Sequence, residues 1–249
     1  MRQTEERKRE HILISLKENV MAHHNFWDDV KLVHNALPEI NEDDVDLSTK
    51  LFGKKLGAPI VIAGMTGGYT RAKKILKTID MLSQELSTPV IVKESGAGIS
   101  YRVAKSLAKT SIAGIDVGGA GGTSFAAVEY YRAKMRNDYL HMRGGKTFWD
   151  WGIPTPRSIL EVGRATNWRL PIIATGGIRN GLDVAKSLAL GASLAGIAHA
   201  LLKPAIKGKE FTVSELNIII KELQMAMFLL GIDKIKKMAT VEVEYEYKE

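Results

Sequence analysis

The chain has 249 residues, 45% hydrophobic and 25% charged, with 35 Lys and Arg against 28 Asp and Glu and a formal net charge of +7. That length suits one large domain or two small ones with a sizeable core, and the composition is that of an ordinary soluble globular chain. The absence of cysteine excludes disulfides, thiolate catalysis and zinc–sulfur sites.

A basic balance fits nucleic acid, a membrane surface or a phosphorylated small molecule. The basic residues are dispersed and no aromatic-rich nucleic-acid module accompanies them, so the chemistry left standing is a solvated surface or an anionic small-molecule substrate. The first ten residues, MRQTEERKRE, are charged and lack the apolar core of a signal peptide. The most apolar late stretch, 215–231, is interrupted by Lys221, Glu222 and Gln224 and is too short and polar to span a bilayer. A cytoplasmic protein with neither membrane nor nucleic-acid partner is expected.

In chain order, TEERKREHILISLKENV (4–20) reads as a helix capped by Thr4, with a partial apolar stripe at Ile12, Leu13 and Leu16. Arg7, Lys8 and His11 fall within one turn of it, with Arg7 and His11 at i,i+4. Such a cluster can clamp a diphosphate, although on residue type alone it is more commonly a solvated face. An irregular stretch rich in Asp, Asn and His runs to about Leu56 and forms an N-terminal extension, residues 1–56, ahead of the main unit at 57–249. The His23–His24 pair lacks a carboxylate at convincing ligand spacing, so it reads as structural or surface.

From residue 57, short continuous apolar runs recur at 59–65, 89–95, 112–118, 171–177 and 193–199. Continuous rather than alternating runs mark parallel strands buried on both faces. Helical patterns separate most of them. One carries Ile75, Ile79, Leu82 and Leu86 on a single face, and another is opened by Pro154 and Pro156; Gly191 suits a helix exit. Small polar residues gather where the strands end, in GMTGG, KESGAG, GGAGGTS and TGGIRNG. The glycines at 118, 119, 121 and 122 miss the dinucleotide spacing because Ser124 occupies the final position, which disfavours a Rossmann sheet. An α/β barrel remains. A closed (β/α)8 barrel needs eight units, however, and five are recognisable here, which predicts an incomplete or open barrel.

Two glycine loops on neighbouring late strands, with Thr123, Ser124 and Arg179 beside them, suit an anion, since late loops and a helix N-terminus commonly hold phosphate in such barrels. Tight βα turns alone would also explain them. Lys93 ends a strand, where a cation can face a bound ring or snorkel to the surface; the site-facing placement is favoured. Asp116, in mid-strand, reads as a buried structural acid. The loop at 146–158 brings aromatics and prolines together and could cover a pocket, with Trp149 and Trp151 equally suited to packing.

Seven stretches, RKREHI (7–12), DDVKLVHNALPEI (28–40), GMTGG (64–68), PVIVKESGAGIS (89–100), GGAGGTS (118–124), DWGIPTP (150–156) and TGGIRNGLDVAKSLALGA (175–192), together resemble the FMN-dependent, type 2 isopentenyl diphosphate isomerases, in that family's order. The details look archaeal. The resemblance implies a TIM barrel that interconverts isopentenyl and dimethylallyl diphosphate with reduced FMN, with NADPH as reductant, Mg²⁺ on the substrate diphosphate and assembly as a homo-oligomer. It places Gly64, Met65 and Thr66 against the flavin and Lys93 at its ring system. Thr123, Gly177, Ile178, Arg179, Ala198 and His199 would surround the FMN phosphate, and Arg7 and Lys8 would meet the substrate diphosphate.

Three departures stand out. Gly118 occupies the place of a serine expected to contact FMN, and His199 that of an aliphatic residue. Between MTGG and VIVKE the family carries about three further βα units, with an Asn-Leu-Gly flavin contact and an Asn-Pro-x-Gln-Glu element that supplies a catalytic glutamine and the magnesium glutamate. This chain has none of these, so no catalytic residue and no metal ligand can be assigned. Very low activity is expected of the chain alone, with exposed sheet edges. The alternatives are another FMN-dependent barrel oxidoreductase, or a non-catalytic FMN-binding or inactive remnant.

Overall fold

The computed structural model describes residues 2–64 and 75–245, with side chains from residue 6 onward in the first helix. Its elements are α1 (Arg2–Lys17), β1 (Lys31–Leu32), β2 (Thr49–Leu51), β3 (Lys54–Leu56), β4 (Ile60–Ile62), α2 (Ile75–Glu85), β5 (Ile91–Lys93), α3 (Tyr101–Leu107), β6 (Gly114–Asp116), α4 (Phe125–Met135), α5 (Tyr139–Thr147), α6 (Thr155–Thr166), β7 (Ile172–Thr175), α7 (Gly181–Ala189), β8 (Leu194–Ile197), α8 (His199–Lys207), α9 (Lys209–Leu229) and β9 (Val243–Glu244).

Each of the five continuous apolar runs forms a strand, and the five make one parallel sheet in the order β4-β8-β7-β6-β5. The first strand of the series lies beside the last, as it does where a barrel closes on itself. The arc then runs back to β5 and stops, so β4 and β5 are the two edges. Burial follows that geometry. Every residue of β6, β7 and β8 is buried, whereas β4 and β5 contain none that is. Ile62 on β4 is 60% exposed.

Helix α2 forms where its apolar stripe predicts, yet none of its residues is buried. Ile79 packs on the main core, while Ile75, Leu82 and Leu86 are exposed. The local periodicity dictates the helix, but the layer it should cover is missing. α6 behaves differently. Pro154 is its N-cap and Pro156 sits in its first turn, and its inner face buries Ile159 and Val162. Gly191, at φ +99°, follows the end of α7 as expected of a left-handed helix exit.

α1 differs from expectation. It begins upstream of Thr4 and stops at Lys17. Ile14 and, beyond the helix, Val20 are its buried anchors, packed with Ala127 and Val128 of α4, while Ile12 and Leu13 are exposed. The helix packs chiefly on α4, so only a narrow stripe is covered. The stretch up to residue 56 contains the β2–β3 hairpin, turned at Phe52 and Gly53 with positive φ at both. Trp27, Val30 and Val45 enter the main core, and β1 pairs antiparallel with β9.

Candidate functional site

A cavity of about 730 Å³ opens at the C-terminal ends of the parallel strands, where ligands bind in such folds. Gly64 reaches it from the end of β4, Lys93 from β5, and Thr123 from the loop after β6. Gly177, Ile178 and Arg179 come from the loop after β7, and Ala198 and His199 from the end of β8. Met65 and Thr66 lie outside the described residues. Arg7 lines a second cavity of about 900 Å³, with His11 and Trp149, that shares Ser95, Gly96, Gly122, Thr123 and Phe125 with the first. Lys8 is exposed and lines neither.

The glycines have a structural cause beyond tight turning. A Cβ on Gly122 would come within 2.6 Å of the Gly177 nitrogen, and one on Gly177, at φ +74°, within 2.8 Å of the Gly121 carbonyl oxygen. The loops after β6 and β7 therefore interlock backbone to backbone. At Gly118, φ is +46° and a Cβ would fall on the Glu94 carbonyl oxygen. The serine expected there has no room in this chain. Glu94 itself turns back on its own loop, its Oε2 accepting from the N–H groups of Gly96 at 2.5 Å, Ala97 at 2.6 Å and Gly98 at 3.1 Å.

Lys93 faces the cavity, its Nζ donating to Asp116 Oδ2 at 2.7 Å. Thr175 Oγ1 donates to the same oxygen at 3.0 Å, and the Gly118 N–H reaches Asp116 Oδ1 at 3.2 Å. Asp116 is 6% exposed. It is the buried, hydrogen-bonded acid expected from the sequence.

The helices that follow β7 and β8 both start at this end of the sheet, and their N-termini differ. The first turn of α7 is already satisfied: the Arg179 N–H donates to Asp183, the Gly181 N–H to Glu222 Oε2 at 2.7 Å, and the Asp183 N–H to the Asn180 side chain. The Arg179 guanidinium is also engaged, by Asp183 and by Asp28 at 2.6 Å. These carboxylates raise the Arg179 pKa, with Asp183 the larger influence, and Arg179 in turn lowers that of Asp28. Although Arg179 lines the cavity, its charge is answered within the protein. α8 instead starts after Ala198 with no side-chain cap. The N–H groups of its first turn carry the positive end of the helix dipole toward the cavity. The His199 ring turns the other way, its Nε2 donating to the Ser15 carbonyl at 3.3 Å and tying α8 to α1.

The segment between α1 and β1 is laced over the glycine loops. Trp27 Nε1 donates to the Gly176 carbonyl at 2.9 Å and Asn25 Nδ2 to the Gly177 carbonyl at 2.8 Å. Lys186, whose pKa burial lowers, donates to the Trp27 carbonyl at 2.6 Å. His23 pairs with Asp150 at 2.5 Å and His24 with Asp29 at 2.9 Å, each ring taken by its own aspartate. Trp149 packs in the small cluster around Ile14 and Val20, whereas Trp151 is exposed. On α1, Arg7 and His11 both contact Glu129 Oε1, at 3.2 and 3.3 Å. The His11 hydrogen bond, helped by Arg132 and Arg7 against the effect of burial, lowers the Glu129 pKa to about 2. Among the described residues, no group of three or more His, Asp or Glu side chains is placed to hold a metal ion, and no helix is long and apolar enough to cross a membrane.

Arg179 has a legible partner in the sequence, since Asp183 follows at i+4. Asn25 and Trp27 give no such signal. Their partners lie about 150 residues away and are backbone carbonyls.

The sequence profile of FMN-dependent dehydrogenases matches residues 65–244. With the parallel strands and the cavity at their C-terminal ends, this defines the chain as an FMN-dependent (β/α)8-barrel protein whose barrel is partial. A mandelate oxidase solved with (S)-2-phenylpropionate shares the fold, with a TM-score of 0.53 at 14% identity over 94% of each chain. The isopentenyl-diphosphate delta-isomerase of Thermoplasma volcanium is 35% identical over 325 aligned positions, spanning 91% of this chain and 92% of that protein. The Methanosarcina mazei isopentenyl-diphosphate delta-isomerase is 34% identical, over 94% and 90%. The chain belongs to the type 2, FMN-dependent isopentenyl-diphosphate delta-isomerase family. An alignment of 325 positions on a chain of 249 residues leaves at least 76 positions of the Thermoplasma protein with no counterpart here. At roughly 30 residues per βα unit, that is between two and three units or more, in keeping with the five-stranded arc.

Proposed function

We propose that this chain binds FMN in the cavity at the strand ends and descends from enzymes that interconvert isopentenyl and dimethylallyl diphosphate, with its own turnover very low. The observation that carries the proposal is the convergence on one cavity of every described residue expected at the flavin. The residues fit the group. The uncapped first turn of α8 supplies N–H donors and a positive dipole end for the phosphate. Gly177 and Gly122 let backbone line the wall, and the Lys93 ammonium offers a cation to the ring system. In this account the phosphate is held by α8 and by Thr123, while Arg179 secures the overlying segment through Asp28.

When bound and reduced, FMN supplies proton transfer to and from the allylic substrate without net redox change, and NADPH is the proposed reductant. Arg7 and Lys8 are the proposed contacts of the substrate diphosphate. Arg7 is free to turn to it, because its link to Glu129 is solvent-accessible and such pairs are worth at most about 1 kcal/mol. No Mg²⁺ ligand is assigned in this chain, since the family's glutamate is absent. A cytoplasmic location and a homo-oligomeric state complete the proposal.

Titration of the chain with FMN, followed by flavin fluorescence, tests the binding. The wild type is expected to bind, and Ala198→Asp, which places a carboxylate at the α8 N-terminus, to weaken binding about tenfold or more. Indifference of FMN to that substitution would remove α8 as the phosphate site. Supplied with FMN, NADPH and Mg²⁺, the chain is expected to isomerise isopentenyl diphosphate only marginally. Turnover at the rates of full-length relatives would contradict the proposal, and net consumption of NADPH would instead indicate an oxidoreductase.

A further inference from the structure

Four neighbouring strands contribute to one row of polar contacts. Lys93 on β5 and Asp116 on β6 are register partners in the parallel ladder. Asp116 Oδ2 accepts from Lys93 Nζ at 2.7 Å and from Thr175 Oγ1, at the end of β7, at 3.0 Å. On β8, a Cβ at Gly196 would collide with the Thr175 hydroxyl, so the glycine leaves Thr175 the room to point at Asp116. Lys93 and Thr175 line the cavity, and Asp116 lies behind them. Glu94, the acid adjacent to Lys93 in sequence, is occupied by the N–H groups of Gly96, Ala97 and Gly98. That leaves Asp116 as the carboxylate answering the ammonium.

The need for such an anchor follows from the position of β5. It is a sheet edge, and the Lys93 side chain is 31% exposed. A lysine there has an alternative, because its flexible stem can carry the ammonium out to water. A buried carboxylate, itself fixed by a hydroxyl and a backbone N–H, selects the inward position.

We propose that Asp116 is a positioning residue that holds the Lys93 ammonium in the cavity wall, through a relay of Lys93, Asp116 and Thr175 for which Gly196 makes room. The flavin part of the test rests on the FMN proposal; the flavin-free part does not. In the flavin-free protein, acylation of individual lysines read by peptide mass spectrometry reports how firmly each amine is held. In Asp116→Asn, Lys93 acylation is expected to rise about tenfold or more, the change for losing one charge-assisted hydrogen bond. Lys186, buried against the Trp27 carbonyl, stays unreactive if the fold is intact, and Asp116→Glu restores part of the protection. An unchanged Lys93 rate in a folded Asp116→Asn protein would overturn the proposal. Should that variant fail to fold, the wild type decides: Lys93 acylating as fast as the exposed Lys109 would overturn it equally.

In the flavin-loaded protein, Lys93→Met is expected to lower the flavin reduction potential by removing a cation near the reduced ring, and Asp116→Asn to lower it too, because the ammonium leaves the wall. A rise in Asp116→Asn would show that Asp116 merely screens the lysine, and would overturn positioning. Absence of flavin binding in the wild type would defeat the FMN proposal while leaving the acylation result to stand or fall alone.

Discussion

The β6–β8 side of the sheet and its β4 and β5 edges are built from the same kind of sequence and end up in different physical states. Ile115, Ile172 and Ile197 are sealed between sheet neighbours and helices, while Ile62 of β4, Ile75 and Leu82 of α2, and Leu86 just beyond it meet solvent. The helix and strand patterns at the edges are as regular as those in the middle. What they lack is the partner layer, which shows that periodicity decides whether an element forms and topology decides whether it is buried. The same division runs through the cavity: the late strands and α8 converge on it, whereas the sheet stops at β4 and β5.

Substitutions on the two sides should therefore differ sharply. Ile197→Ala, in the buried strand beside β4, is expected to cost about 2–5 kcal/mol of unfolding free energy in denaturant melts. Next in size, Gly118→Ala must place a side chain on the Glu94 carbonyl at φ +46°. About 2 kcal/mol or more of strain is expected, with loss of flavin affinity as the cavity wall shifts. By contrast, Leu82→Lys on α2 should change stability by no more than about 0.5 kcal/mol, and it should reduce self-association seen by light scattering, since it breaks an exposed apolar face beside a sheet edge. A cost near that of Ile197→Ala would mean that α2 is covered after all.

A further effect concerns pH. Glu129 has a folded pKa of about 2 against an ordinary value of 4.5. Because the folded value is the lower one, its contribution is fully present above about pH 4.5 and is lost as pH falls toward 2. Glu129→Gln should flatten that part of the acid titration and cost about 1–2 kcal/mol at neutral pH, because the largely buried His11 and Arg132 lose this partner while Glu129 itself is partly exposed. A Gln variant with the wild-type acid profile would show that the α1–α4 contact does not depend on this carboxylate.

The strands of the arc were legible because each is a continuous apolar run bounded by glycine or proline, and the missing units were legible as a shortfall of strands. The cavity residues were legible as strand-end glycines, lysine and threonine. Less was readable where contacts join distant segments. That Gly122 packs on Gly177, or that Trp27 and Asn25 hold the Gly176 and Gly177 carbonyls, depends on how strands are ordered in space. The roles of α7 and α8 were also not separable in advance. Both follow a late strand, and only the capping of α7 by Asn180, Asp183 and Glu222 shows that α8 is the one with donors to spare.

The most direct measurement compares the affinity of the chain for FMN and for riboflavin, which differ by the phosphate. A phosphate site retained at α8 predicts FMN binding tighter by at least about tenfold, or 1.4 kcal/mol. Equal affinities, or no binding of either, would contradict the claim that the late strands preserve the flavin phosphate site without the rest of the barrel.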